Sequence, residues 1–274
     1  MTTVLSDHSF VVLQDYLAAT CGLVLPVEKS YLLNAKLQQV IQRHHFIDLN
    51  ALAGAIRCNR LSPPVAQDVI DAMMINETSF FRDGQPFDAF RDTFLPALIQ
   101  ARQQQKKLRI WSAACAAGQE PYSLAMILAG LQDDLRDWQV DIVASDICST
   151  VLAQAKRAMY SQFEVQRGLS PQFLDTFFKP VQSGWQLSPH IASMVQFQAL
   201  NLLHPFNWLG QFDLIFCRNV LIYFNESCRA NILERLHAQL APDGYLLLGG
   251  AETTRGLTKL FKPDMRYYGV FRPV

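Results

Sequence analysis

The residues with the clearest chemical potential are a turn and two carboxylates. Ser112-Ala-Ala-Cys-Ala-Ala-Gly118 follows a strand-like run and uses small side chains, so a ligand can approach its backbone. It is not G-x-G-x-x-G, so the dinucleotide fingerprint is missing, and close packing of strand on helix explains such a turn as well as a ligand does. Asp146 lies 28 residues beyond Gly118, at the end of a second strand-like run. A carboxylate there can accept hydrogen bonds from both hydroxyls of a ribose. Glu120 precedes Pro121 at a helix start. The helix dipole favours a carboxylate at that point. Two roles stand open for it: capping, or binding a cationic amino group such as that of a methionine moiety.

Strands and helices must carry these groups. The pattern predicts a strand over Leu108–Ala114, a helix over Pro121–Leu131, a strand over Val140–Asp146, and a helix running from an N-cap at Ser149 to about Tyr160. Val195–Leu200, Phe212–Arg218 and Tyr245–Gly250 read as further strands, and Tyr267–Arg272 as a closing one. Asn225–Leu240 reads as a helix ended by a Pro242-Asp-Gly244 turn. Strands alternating with helices specify an α/β fold, a parallel sheet covered on both faces. Its ligands bind outside the carboxyl ends of the strands.

Upstream, Phe10–Ala19, Lys29–His45, Leu49–Arg57 and Pro63–Met74 repeat apolar residues at helical spacing, the last after Ser62 as N-cap. A further helix sets Phe87, Phe90, Phe94 and Leu98 on one face. Between Tyr160 and Val195 lie 34 residues, too many for a plain connection. Ser183-Gly-Trp-Gln-Leu187 within them reads as a hairpin-like turn and strand, so a small inserted subdomain is expected at about residues 161–194. The expected organisation is a helical unit over 1–75, a linker and connecting helix over 76–105, and the α/β unit over 106–274.

Composition removes several classes. Half the residues are hydrophobic and 18% are charged, which fits an ordinary folded protein. The formal net charge of zero gives no global pull toward nucleic acid or anionic membrane. The six cysteines are scattered without a C-x-x-C pair, against a zinc site or a disulfide framework, and no metal is expected. Met1-Thr-Thr-Val-Leu-Ser-Asp7 lacks the pattern of a secretory leader, and no run of 18 apolar residues occurs. The expected compartment is the cytoplasm.

Five blocks then carry a resemblance. They are Asn76-Glu-Thr-Ser-Phe-Phe-Arg82, Trp111-Ser-Ala-Ala-Cys-Ala-Ala-Gly-Gln-Glu-Pro-Tyr-Ser123, Ala144-Ser-Asp-Ile147, Asn201-Leu-Leu203 and Phe216-Cys-Arg-Asn-Val-Leu-Ile-Tyr-Phe224. In this order they resemble the chemotaxis receptor glutamate methyltransferases, the CheR family, over essentially the whole chain. The resemblance implies a helical N-terminal domain and a Rossmann-like S-adenosylmethionine methyltransferase domain with a small inserted antiparallel β-subdomain. It implies cofactor contacts at Asn76, Thr78, Arg82, Glu120, Asp146, Asn201, Leu202, Arg218 and Asn219, with Arg82 and Tyr223 flanking the transfer centre. Many relatives have Gly-Glu-Glu-Pro where this chain has Gly118-Gln-Glu-Pro121; Glu120 is retained, so cofactor binding is expected to survive.

The implied reaction needs no catalytic base, because a glutamate with a pKa near ~4.3 is already an ionised nucleophile at neutral pH. The implied partner is the cytoplasmic helical bundle of methyl-accepting chemotaxis receptors, with the enzyme acting as a monomer. Lys29, Lys36 and Arg43 recur every seven residues, hence on one helical face. Such a stripe is usually a solvated face, yet it is complementary to a glutamate-rich bundle, so Lys36 and Arg43 are the candidate receptor contacts. Two rivals remain. A nucleic-acid methyltransferase would need a basic channel and usually an Asn/Asp-Pro-Pro-aromatic motif, where this strand ends Phe216-Cys-Arg-Asn219. An inactive cofactor-binding module would show damaged substrate-side residues, whereas Arg82 and Tyr223 are present.

Overall fold

The computed structural model describes residues 5–131 and 133–274; the N-terminal stretch read above as lacking a leader begins outside them. Four helices open the chain: α1 (Asp7–Cys21), α2 (Tyr31–Arg43), α3 (Leu49–Arg57) and α4 (Pro63–Met73). Their inward residues, among them Leu13, Leu17, Leu33, Leu37, Leu52 and Val69, form a core of their own. The single helix expected over Lys29–His45 is instead a 3-10 turn at Val27–Lys29 followed by α2. Ser62 occupies the N-cap position of α4 but its hydroxyl makes no capping bond.

The connecting helix comes in pieces, α5 (Gln85–Ala89), a π turn at Phe90–Phe94, and α6 (Leu95–Ala101). Phe87, Phe90, Phe94 and Leu98 are all buried, as their spacing requires. Past α6, Arg102 pairs with Asp213 and Asp243, fastening this helix to the middle of the sheet near the amino end of the strand Phe212–Cys217.

The sheet then builds from β1 (Lys107–Ala113), α7 (Gln119–Ala129), β2 (Gln139–Asp146) and α8 (Ser149–Arg157). The insert follows: β3 (Met159–Tyr160), α9 (Gln162–Gln166), α10 (Pro171–Phe177), β4 (Phe178–Val181) and β5 (Gly184–Leu187). Next come α11 (Pro189–Ser193), β6 (Val195–Ala199), β7 (Phe212–Cys217), α12 (Glu226–Gln239), β8 (Leu240–Leu248), β9 (Phe261–Pro263) and β10 (Val270–Pro273). The large sheet runs β6-β2-β1-β7-β8-β10-β9. Its first five strands are parallel, while β10 is antiparallel to β8 and to β9. The insert forms a separate three-stranded antiparallel sheet, β3-β5-β4.

Alternation explains the two-sided cover. Along β1, Leu108 and Ile110 join one core and Trp111 and Ala113 the other; β7 divides Leu214 and Phe216 from Ile215 and Cys217 in the same way. The Trp111 indole is fully buried and donates its N–H to Ser145 Oγ at 3.0 Å, so the large ring carries no unsatisfied polar group.

Several boundaries differ from expectation. Pro242-Asp-Gly244 does not end α12 as a separate turn. It lies inside β8, where the register with β7 shifts. The closing strand is β10, shorter and later than the expected Tyr267–Arg272. Neither β9 nor the short helices of the insert was expected, for each is too brief to show a period.

Candidate active site

Strand order reverses between β1 and β7, which opens a crevice at the carboxyl ends of the parallel strands. A cavity occupies it, with about 950 Å³ of non-protein space including its open mouth. Asn76, Thr78, Arg82, Glu120, Asp146, Asn201, Leu202, Arg218, Asn219 and Tyr223 all line it. Residues from five stretches of chain therefore meet in one place. The sequence did not single out Cys21, Leu23, Ile75 or Phe224, which line it too and give one wall its apolar character.

Asp146 ends β2 and is held by backbone. Its Oδ2 accepts from Ala116 N at 2.8 Å and its Oδ1 from Cys148 N at 2.9 Å. Burial pushes its carboxyl up, and the N–H groups of Cys148 and Ala116 oppose that. The small-residue turn divides its labour. Ala114 and Ala116 have φ of +58° and +48° and line the cavity, a left-handed conformation that costs an L-residue roughly 1–2 kcal/mol. Gly118 does not face the ligand space: a Cβ there would meet Ala155, Tyr122 and Phe197 at 2.9–3.3 Å. The glycine serves packing, and the alanines serve the cavity.

Ser149 is not the cap expected for α8. The N-cap position belongs to Cys148, which makes no side-chain capping bond. Asp71 of α4 does that work from outside, accepting from both N and Oγ of Ser149 and from N and Oγ1 of Thr150. Burial would raise the Asp71 carboxyl, but the bonds from Ser149, Thr150 and Gln67 outweigh it and hold it below the usual range. An N-terminal helix thus fixes the loop that follows Asp146.

Glu120 opens α7 as a buried carboxylate. Ser112 Oγ donates to its Oε1 at 2.8 Å and Arg218 Nη1 to its Oε2 at 3.0 Å. Burial pushes the Glu120 carboxyl up, against the pull of Arg218. Arg218 also donates from Nη2 to Asp83 Oδ2 at 2.6 Å and to the carbonyl of Arg82 at 3.0 Å. Its Nε is buried with no partner among the described residues. A buried orphan donor is costly and needs an acceptor. A cofactor with an amino-acid end fits this set, its carboxylate meeting Arg218 and its ammonium meeting Glu120.

The first block lines the cavity through Asn76, Glu77, Thr78 and Arg82. Arg82 Nη1 donates to the Glu77 carbonyl at 2.7 Å, and Glu77 Oε1 accepts from Arg167 of the insert at 2.6 Å. That hydrogen bond from Arg167 holds the Glu77 carboxyl below its usual value. Burial raises the Tyr223 phenol while the Arg82 charge lowers it, and the net shift is upward. The phenol therefore stays protonated at neutral pH and can donate. Asn76 Nδ2 reaches Cys148 Sγ at 3.4 Å, and Asn201 Nδ2 donates to the Thr20 carbonyl at 2.7 Å, tying α1 to the loop after β6.

Lys36 and Arg43 lie on α2, outside the cavity lining, and Lys36 is engaged within the fold. Its Nζ donates to the carbonyls of Met73 at 3.1 Å and Met74 at 3.0 Å, closing the end of α4. Burial lowers its pKa. Heptad spacing gave the right helix but could not see a helix C-terminus packed against it. Arg43 is exposed and pairs with Asp68 at 3.0 Å.

A crevice at the strand ends, with the buried Asp146 carboxylate and the buried Glu120–Arg218 ion pair both lining it, has the layout of a Rossmann-like ligand site. Residues 76–267 match the family model described as CheR methyltransferase, SAM binding domain. The chain is 41% identical over 256 residues to chemotaxis protein methyltransferase 1 of Pseudomonas aeruginosa, covering 92% of each chain. It is 38% identical over 246 residues to chemotaxis protein methyltransferase Cher2 of Pseudomonas putida, covering 88% of this chain and 89% of that one. With chemotaxis protein methyltransferase 1 of Vibrio cholerae it shares 35% identity over 261 residues and 94% of each chain. The chain belongs to the CheR methyltransferase family, and its cofactor is S-adenosylmethionine.

Proposed function

We propose that the protein esterifies glutamate side chains of methyl-accepting chemotaxis receptors, giving glutamate 5-O-methyl ester and S-adenosylhomocysteine, for adaptation in chemotaxis-type signalling. The observation that carries this reading is the meeting of Asp146, the Glu120–Arg218 pair, Arg82 and Tyr223 around one cavity. Asp146 takes the ribose hydroxyls, Glu120 the amino group, and Arg218 Nε the carboxylate. Asn76, Thr78, Asn201, Leu202 and Asn219 complete the cofactor contacts. Bound S-adenosylmethionine supplies an electrophilic methyl group on a positively charged sulfur.

The remaining work falls to positioning. Arg82 keeps guanidinium donors beyond the one given to Glu77 and can hold an acceptor carboxylate oxygen, a charge-assisted bond worth about 1.5–3 kcal/mol. Tyr223 offers its hydroxyl to the same acceptor. Together they orient and partly desolvate a nucleophile that is already ionised, and orientation of this kind accounts for a large part of such a barrier.

The acceptor is presented by the receptor's cytoplasmic helical bundle, which the enzyme meets as a monomer in the cytoplasm. Lys36 and Arg43 of α2 are the basic residues toward it, Arg43 exposed and Lys36 with its ammonium held on the carbonyls of Met73 and Met74. No helix among the described residues is long and apolar enough to cross a membrane. A neutral chain lacks the global charge that nucleic-acid binding draws on.

The reading is tested by incubating the protein with methyl-labelled cofactor, receptor-bearing membranes and nucleic acid. Label in the receptor, lost on Arg82→Ala, supports it. Label in nucleic acid alone moves the reaction to the rival class.

A further inference from the structure

Glu252 lies outside every motif and does not line the cavity, yet its carboxylate accepts five hydrogen bonds, all from backbone N–H groups. The residue is 6% exposed and forms no ion pair among the described residues. Backbone donors take the place of a cation. Oε2 accepts from Asn219 N at 2.8 Å and Gly249 N at 2.6 Å. Oε1 accepts from Val220 N at 2.9 Å, Leu221 N at 2.7 Å and Ile222 N at 3.3 Å. Four of the five donors are consecutive, so one carboxylate fixes the path of the whole loop after β7. Successive N–H groups converging in this way form an anion-binding concavity.

Two further features bind the carboxylate to that loop. Asn219 sits at φ +58°, a left-handed conformation that persists only when its surroundings enforce it. A Cβ on Gly249 would lie 2.7 Å from Asn219 Nδ2 and 2.8 Å from Glu252 Oε2, so the glycine leaves the room in which the two meet. From the other side, Val24 N donates to the Tyr223 carbonyl at 3.4 Å, and the Phe224 ring fills the space where Gly22 would carry a side chain. What this clamped loop presents to the cavity is Asn219, Val220, Tyr223 and Phe224.

We infer that Glu252 is a positioning residue for methyl transfer: its carboxylate, through the backbone of 219–222, sets where Tyr223 and Asn219 stand at the transfer centre. The inference rests on Tyr223 flanking that centre. Glu252→Gln is the sharpest probe. Either orientation of the amide turns its NH2 toward at least two backbone N–H groups, because both oxygens are occupied by donors. The expected result is a folded protein, by circular dichroism, whose kcat falls between about tenfold and a hundredfold, the scale set by misplacing a reacting group by an ångström.

A double-mutant cycle with Tyr223→Phe separates positioning from bulk stability. If Glu252 acts through the loop, Glu252→Gln costs much less in the Tyr223→Phe background than in the wild type. Equal factors in both backgrounds, or a folded Glu252→Gln with wild-type kcat, overturn the proposal. Should Glu252→Gln not fold, the cycle is run with Glu252→Asp, which keeps the charge but reaches fewer of the five donors, and the same criteria apply. A loss on Tyr223→Phe with none on the Glu252 variant overturns only this proposal. No loss on Tyr223→Phe overturns the Tyr223 assignment beneath it.

Discussion

Arg218 Nη1 donates to Glu120 Oε2 at 3.0 Å, joining the end of β7 to the start of α7 inside the protein. The pair is buried and its members come from blocks 98 residues apart in sequence. Ser112 and Asp83 satisfy part of what remains, and the Arg218 Nε has no partner among the described residues.

Glu120→Ala removes one partner of this pair and should cost up to about 3–5 kcal/mol in chemical denaturation, less to the extent that Asp83 still engages Arg218. Glu120→Gln should cost less stability but lower cofactor affinity. Burial raises the Glu120 carboxyl, so the folded protein takes up this proton before the unfolded chain does. The group's contribution to stability therefore grows, rather than falls, as pH drops through the raised value. Affinity for S-adenosylhomocysteine behaves oppositely. It should weaken as pH falls through a window above the ordinary carboxylate value of about 4.3, because the protonated acid no longer attracts an ammonium group. Calorimetry across pH checks this, with Glu120→Gln losing part of the dependence. Full affinity in Glu120→Gln at neutral pH would remove Glu120 from the cofactor site.

Asp146→Ala should lower affinity for S-adenosylhomocysteine by at least about tenfold, since hydrogen bonds to a charged acceptor contribute about 1.5–3 kcal/mol each. The carboxylate also pins Ala116 and Cys148, so the thermal midpoint is recorded beside the calorimetry. A folded variant with wild-type affinity would show that the ribose is held elsewhere.

Much of this site was legible because chemistry and spacing coincide there. Asp146 and Glu120 stand at a strand end and a helix start, positions that a period and a proline reveal. The groups that hold them were not legible. Asp71 caps α8 from 78 residues away, and Glu252 binds a loop 30–33 residues before it. Neither separation leaves a local pattern, because each contact exists only once helices and strands have packed. Lys36 was legible only in part. Its heptad spacing suggested a solvated stripe, while tertiary packing set the end of α4 against its ammonium group. The insert was recognised from surplus length and one turn, but α9 and α10, of 5 and 7 residues, are too short for periodicity to mark.

Lys36 and Arg43 should consequently respond differently. Lys36→Ala strips the carbonyls of Met73 and Met74 of their donor and should cost about 1–3 kcal/mol of stability, the penalty for part-buried groups left unpaired. Arg43→Glu breaks an exposed pair with Asp68 and should change stability by only about 0.2–1 kcal/mol. It should instead slow receptor methylation and reduce its salt sensitivity, with cofactor affinity unchanged. Wild-type receptor kinetics in Arg43→Glu would mark that face as merely solvated, and an unaltered denaturation midpoint in Lys36→Ala would deny the clamp on α4.

The central claim is that the methyl acceptor is a carboxylate, and the bond formed tests it most directly. Receptor labelled by this protein from methyl-labelled S-adenosylmethionine should release its label as methanol under mild alkali, because esters hydrolyse where methylamines do not. Proteolysis and mass spectrometry should place the labelled group on glutamate side chains. Label that resists alkali, or that maps to lysine, arginine or a chain terminus, would contradict the account.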